Sequence, residues 1–258
     1  MTQEKRLIEI KQILKDKHQL STRFLASHFK VSFDTARRDV LRLTTTGQAI
    51  RIHGGLMEIN QNDVPNFLSR NQVQSPIKEK MAKVAKRFIH SGQFDFIGPS
   101  TTLCQLCNML GGIDLQIVTN SIDNAAALMR YPLPAVSMLG GEIKKSERLT
   151  YSASSLDEIN HLHFNTAFIG TSRVRNDGVY TATTQDAQLI SAAVKNSTQT
   201  VLIAEKYKFT NTSSSPFMST PLDKIDVVIS DTPLSNEIKK NFSSHTQFIS
   251  IIKKANYD

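Results

Sequence analysis

Cysteine is nearly absent from this chain of 258 residues, which has only Cys104 and Cys107. Two cysteines are too few for a disulfide framework. They stand three residues apart in a segment that reads as helix, a spacing that invites a redox or zinc reading. No second Cys or Cys–His pair accompanies them, His161 and His163 are remote in sequence, and zinc asks for about four ligands. The pair is expected to be buried structural thiols, with no metal and no cofactor. Long apolar runs are missing too: none approaches the roughly 18 residues that span a bilayer. The opening MTQEKRLIEI is charged and amphipathic and contains no apolar signal-peptide core. These absences argue against a membrane partner and make the cytoplasm the expected location. Hydrophobic residues at 40% and charged residues at 21% exclude a disordered chain. The length suffices for one large core or two modest ones.

Acidic residues are the minority charge, leaving a net charge of +8. The excess is uneven, with a net +5 in residues 1–58 and only +3 in the remaining 200. Such asymmetry fits a small nucleic-acid module attached to a larger, nearly neutral domain. Leu7, Ile10 and Leu14 recur at helical spacing and predict a helix over residues 3–17. Ser21 can cap a second helix with Phe24, Leu25 and Phe29 on its apolar side. After a turn at Lys30-Val31, Ser32 caps a third helix that runs to about Thr46 and stops at Gly47. Ala36, Val40 and Leu43 share one face of it, leaving Asp34, Thr35, Arg37, Arg38 and Arg42 on the others.

Two short helices, a tight turn and a third helix with early arginines make a helix-turn-helix, whose third helix lies in the major groove. Arginine there can bond guanine bidentately or hold a phosphate. Ala49 to Gly55 reads as a short strand and a glycine turn, a wing from which Arg51 and His53 reach the backbone or minor groove. The candidate DNA contacts are Ser32, Asp34, Thr35, Arg37, Arg38, Arg42, Arg51 and His53. The plain alternative is that the arginines are solvated helix charges, Arg38 pairing with Asp34 one turn back.

Residues 59–76 have little periodicity and read as a linker between a domain at 1–58 and another at 77–258. In the second domain, short apolar runs alternate with helical segments, the pattern of a mostly parallel α/β sheet. Ligands bind such sheets at the C-terminal strand ends. Four of those ends carry small polar residues or glycine: Gly98 to Thr102, Thr119-Asn120-Ser121, Gly140-Gly141 and Gly170-Thr171-Ser172. Glycine lets backbone amides approach an anion. The candidate effector-binding residues are therefore Gly98, Ser100, Thr101, Thr102, Thr119, Asn120, Ser121, Gly140, Gly141, Gly170 and Thr171.

The segment VSFDTARRDVLRLTTTGQAIRIHGG resembles the DNA-binding segment of the DeoR family of bacterial transcription regulators. The match rests on Val31, Ser32, Thr35, Arg37, Arg38, Asp39, Leu43, Gly47, Arg51, His53, Gly54 and Gly55. It continues, more weakly, through STT, VTNS, LGG, AFIGTS, GVYT, KYKF and KIDVVISD, and so covers nearly the whole chain. The resemblance implies a winged helix-turn-helix joined to an α/β sensor related to sugar-phosphate isomerases. It adds Glu205 and Lys208 to the effector residues. It implies a repressor of a sugar or carbohydrate catabolic operon that binds double-stranded operator DNA as a homo-oligomer, dimer or tetramer, and is relieved by a phosphorylated sugar. The alternatives are an activator and an effector-independent DNA-binding regulator.

The sequence departs from the family pattern in places. Gly98 stands where an Asp is usual, Ser100 replaces a Gly, Glu205 replaces an Asp, and Ile190 sits where a Lys is common. The lost Asp and Lys remove two charged contacts and motivate the effector-independent alternative. A sugar-phosphate isomerase is the rival from another class. It needs a base beside its substrate, which Gly98 cannot supply, and it has no use for the first 58 residues. No catalytic residue is expected.

Overall fold

The computed structural model describes residues 1–45, 48–58, 75–210 and 215–252. The chain forms two compact units, Met1–Pro76 and Ile77–Asp258. Gly47, expected to stop the third helix, and residues 59–74 of the expected linker lie outside the described residues.

In the first unit, helix α1 (Gln3–Lys17) buries Ile10 and Leu14 and ends at His18, whose backbone N–H donates to the Leu14 carbonyl with φ at 60°. Strand β1 (Gln19–Ser21) leads into α2 (Thr22–His28), whose Phe24 N–H is capped by the Ser21 hydroxyl. Helix α3 (Phe33–Thr45) follows after a turn in which Lys30 takes a positive φ. Ala36, Val40 and Leu43 of α3 close a core with Ile10, Leu14, Leu20, Leu25, Ala49 and Leu56. Strands β2 (Ile50–Ile52) and β3 (Gly55–Met57) complete an antiparallel sheet in the order β1-β3-β2. The wing is thus three-stranded, because β1, too short at three residues to announce itself, pairs with β3. Gly55 faces Ser21 in that pairing, and a Cβ on it would collide with the Leu20 carbonyl.

The second unit is built on a seven-stranded sheet. Its strands are β4 (Phe94–Ile97), β5 (Gln116–Thr119), β6 (Ala135–Met138), β9 (Phe164–Ile169), β12 (Ser197–Ile203), β14 (Val227–Ser230) and β15 (Gln247–Ser250). The order across the sheet is β15-β14-β12-β9-β4-β5-β6, and every pair is parallel. A parallel sheet must be covered on both faces, and alternate side chains serve the two. Ile97, Ile117, Phe168 and Val201 pack with α4 (Pro76–Ala85), α5 (Thr101–Cys107) and α6 (Ile122–Leu128). Phe96, Val118, Ala167 and Leu202 pack with α7 (Ala153–Asn160) and α8 (Thr184–Lys195). Helix α4 begins on Pro76, which suits a first helical position because its missing N–H has no partner to lose.

From β4 the chain builds outward one way through β5 and β6, then returns to add β9, β12, β14 and β15 on the other side. The gap between β4 and β9 is therefore the topological switch point, where open α/β sheets bind their ligands. Five further strands carry no clear periodicity in the sequence: the hairpin β7 (Glu142–Lys144) and β8 (Leu149–Tyr151), and the small sheet β10 (Arg173–Val174), β11 (Gly178–Thr181) and β13 (Phe217–Pro221). No helix among the described residues is long and apolar enough to cross a membrane.

Candidate DNA-reading helix and strand-end site

Helix α3 starts with its polar groups already matched. The Ser32 hydroxyl accepts from the Thr35 N–H at 3.2 Å and lies 2.8 Å from the Thr35 hydroxyl. Ser32 and Thr35, both expected to touch DNA, thus hold each other and fix the helix start. Asp34, Arg37, Arg38 and Arg42 are exposed and Asp39 is buried. The run Arg37-Arg38-Asp39 splits between solvent and core because successive helical residues are about 100° apart.

Asp39 is taken up by α1. Arg6 Nε donates to its Oδ2 at 2.7 Å, Arg6 Nη2 to its Oδ1 at 3.2 Å, and Gln3 Nε2 to the same Oδ1 at 2.9 Å. Gln3 also accepts from Arg42 Nη1 at 2.7 Å, so Arg42 leans toward α1. No ion pair joins Asp34 to Arg38 among the described residues, so Arg38 is an exposed helix charge not paired one turn back. Half-buried Arg51, on β2, has its pKa lowered by burial and then by the positive charge of Arg37. Arg37 and Arg51 thus stand close enough for their charges to repel. His53 is exposed in the turn between β2 and β3.

At the other site, the four strand ends read from sequence are neighbours, since β9, β4, β5 and β6 are consecutive in the sheet. Their register is level, with Ile97 opposite Phe168 and Thr119 opposite Met138. Gly98 donates its N–H to the Phe168 carbonyl at 2.9 Å. The β4 and β9 loops touch, so a Cβ on Gly170 would press on the Ser100 side chain. Ser100 accepts from the Thr102 N–H at 3.2 Å and starts α5, burying Thr101 and Thr102. The Thr119 hydroxyl donates to the Ile97 carbonyl at 2.6 Å and accepts from the Ser121 N–H at 3.1 Å. Gly140 and Gly141 are exposed at the end of β6, with the Gly140 carbonyl accepting from Ser155 at 2.6 Å.

Glu205 follows β12, next to β9, and is half-buried. Lys208 is buried and donates through Nζ to the Thr171 carbonyl at 2.6 Å, which carries its charge to the β9 loop. Glycine at position 98 leaves this edge without the family's first carboxylate, and Ile190 is packed into the core of one sheet face.

Sequence reasoning missed three polar groups at this edge, Asn124, Asp231 and Arg173. Asn124, one turn into α6, donates through Nδ2 to the carbonyls of Ile97 and Gly98 at 3.2 and 2.9 Å. Its Oδ1 and that of Asn120 are buried and accept no hydrogen bond from the described residues. Asp231 is buried beside Glu205 and accepts from the Lys206 N–H at 2.6 Å. Burial raises its pKa above the usual carboxylate range, the Glu205 charge adds to that, and the backbone hydrogen bonds oppose it. Arg173 is fully buried on β10. Asp231 closes the KIDVVISD segment, so the sequence did hold a signal for it; Asn124 and Arg173 carry none.

Cys104 and Cys107 are both free and buried. Burial pushes the Cys104 thiol up to about 11, with Asp123 adding, and pushes the Cys107 thiol well above its usual value. Neither is a nucleophile or a metal-ready thiolate at neutral pH. No group of three or more His, Cys, Asp or Glu residues among the described residues could hold a metal ion.

Residues 6–62 match the model of the DeoR-like helix-turn-helix domain, and residues 73–232 that of the DeoR C-terminal sensor domain. The chain is 28% identical over 232 residues to the HTH-type transcriptional repressor GlcR of Bacillus subtilis (strain 168), a match covering 90% of this chain and 89% of the relative. It is 26% identical over 247 residues to the glycerol-3-phosphate regulon repressor of Escherichia coli (strain K12), covering 95% and 97%. Among solved structures, ribose 5 phosphate isomerase A from Neisseria gonorrhoeae is 19% identical with a TM-score of 0.39, covering 54% of this chain and 55% of the other.

Proposed function

Since the chain belongs to the DeoR family of transcription regulators, we propose that it is a repressor of a sugar or carbohydrate catabolic operon, released from its operator by a phosphorylated sugar metabolite. The observation that carries the DNA half is the split of the Arg37-Arg38-Asp39 run. The acid is locked to Arg6 inside the unit and both arginines stay exposed on the third helix. That arrangement fixes the helix while leaving its cations for bases and phosphates. The repressor sense is supported by GlcR and the glycerol-3-phosphate regulon repressor, which match across nearly their whole length. Family membership makes the chain a regulator rather than an enzyme.

The effector site of this reading is the strand-end edge at the switch point between β4 and β9. Lys208 offers a cation for a phosphate, and the spare oxygens of Asn120 and Asn124 accept from sugar hydroxyls. Paired heads on a palindromic operator call for a dimer or tetramer. A protein working on operator DNA acts in the cytoplasm. The test is operator binding by a variant carrying Arg37→Ala and Arg38→Ala. It should lose binding with an unchanged melting profile, whereas binding as tight as the parent's at the same salt overturns the reading. The effector-independent reading is favoured by one observation, the core burial of Ile190 where the family commonly has a Lys. A panel of sugar phosphates that leaves both melting and DNA release unchanged would select it.

A further inference from the structure

We propose that Phe33 is a base-reading residue whose ring meets the 5-methyl group of a thymine in the major groove. The proposal rests on α3 being the recognition helix. Phe33 is 53% exposed at the first position of that helix, and the early residues of a recognition helix are those that reach base edges. It stands one turn before Arg37, so the two occupy the same side of the helix.

The described residues of this unit give Phe33 no other task. The other two phenylalanines among the described residues of this unit are engaged: Phe24 and Phe29 pack against the core, and Phe24 also stacks on His28 with ring centroids 5.3 Å apart. Phe33 belongs to no core cluster. An apolar residue near a helix start often serves as a staple between the residue before the cap and the fourth helical position. Those positions here are Val31 and Ala36, and both already pack in the core cluster. The cap is supplied by Ser32 with Thr35. A large apolar ring is thus presented to solvent beside two exposed arginines. Of the groups a major groove offers, thymine's methyl is the apolar one, and Phe is a side chain that meets it. Arg37 and Arg38 would then read or clamp polar groups while Phe33 selects thymine against cytosine at one position of each half-site.

The experiment starts from an operator selected out of a random-sequence pool by the full-length protein. Each thymine of one half-site is then replaced by uracil, which deletes the methyl and keeps the pairing. The parent should lose affinity at one such position, by about fourfold for one buried methyl. Phe33→Ala should bind the parent operator more weakly by a similar factor and be indifferent to uracil at that position, while keeping the parent's response elsewhere. Phe33→Leu should recover part of the methyl sensitivity. An unchanged uracil profile in Phe33→Ala overturns the proposal. So does an affinity loss spread evenly over all sequences, or a change of oligomeric state with that profile intact. The variant carrying Arg37→Ala and Arg38→Ala separates the two readings: if it binds like the parent, the recognition helix is misassigned, whereas its failure beside an unchanged Phe33→Ala removes only the role of Phe33.

Discussion

Arg6 and Asp39 form a buried ion pair across α1 and α3, with Nε 2.7 Å from Oδ2 and side chains 8% and 1% exposed. The pair sets the rotation of α3, because the carboxylate can face Arg6 only if the two preceding arginines face away. A buried pair of this kind need not stabilise a fold relative to apolar residues, but breaking it leaves one charge stranded in the core. Asp39→Ala should therefore cost the N-terminal unit about 3–5 kcal/mol and abolish operator binding without removing a DNA contact. Arg6→Met combined with Asp39→Leu should restore the melting temperature to near the parent value. If the single variant melts like the parent, the pair does not position the helix.

Arg51 differs from the α3 arginines in where it stands. It lies on a wing strand, half-buried and repelled by Arg37, a place suited to a phosphate rather than a base edge. Arg51→Ala should weaken binding by a similar factor on every operator variant. It should also lower the slope of log affinity against log salt by about one. A salt titration on two operator sequences checks this. An unchanged slope with relaxed sequence preference would make Arg51 a base reader instead.

Much of the architecture was legible in the sequence, and the illegible parts have a common cause. Ser21 and Ser32 announced their helices because caps are local chemistry, and the short apolar runs alternating with helical segments announced buried parallel strands. The three-residue β1 and the hairpin of β7 and β8 carry too few residues for a period to show. Their pairing is decided by partners distant in sequence, such as Leu56 for Leu20. The candidate strand-end residues were picked out as glycine and small polar residues that mark turns, and the fold sets those strand ends side by side. Asn124, Asp231 and Arg173 reach the same edge only through the fold, and no local pattern marks Asn124 or Arg173. Likewise no local pattern marks Asp39 as buried, because Arg6 comes to lie opposite it only through the fold.

Lys208 supplies a test of the sensor. Its Nζ is buried against the Thr171 carbonyl at the end of β9, and a phosphate there would gain a charge-assisted hydrogen bond. A sugar phosphate that raises the parent's melting temperature at saturation does so by mass action, about 2.7 kcal/mol at a hundred times Kd. Lys208→Met keeps the length of the side chain and removes the charge. It should still fold and repress, and it should lose both the thermal shift and the release from DNA. A full thermal shift in this variant would move the phosphate site elsewhere along the edge.

Asp95 makes stability depend on pH in an unusual direction. Its side chain is buried in β4, where burial raises its pKa from 3.8 to about 7 against the opposing pull of the Thr166 N–H, which donates to Oδ1 at 3.0 Å. Between pH about 4 and 7 the folded chain holds a proton that the unfolded chain has released. Stability therefore falls as pH rises through that window, by at most about 1.4 kcal/mol per unit, and levels off above it. Buried Asp231, whose pKa is also raised, adds to the same fall. Asp95→Asn keeps an acceptor for Thr166 and cannot ionise. Melting of the second unit between pH 5 and 8 should fall less steeply in this variant than in the parent. The gap between the two should widen from pH 5 to about pH 7, closing only below about pH 4, and the variant should be the more stable at pH 8, with a residual slope that Asp231→Asn lessens. Parallel curves for parent and Asp95→Asn would mean that Asp95 ionises at its ordinary pH and that its burial is offset by contacts stronger than the single backbone hydrogen bond.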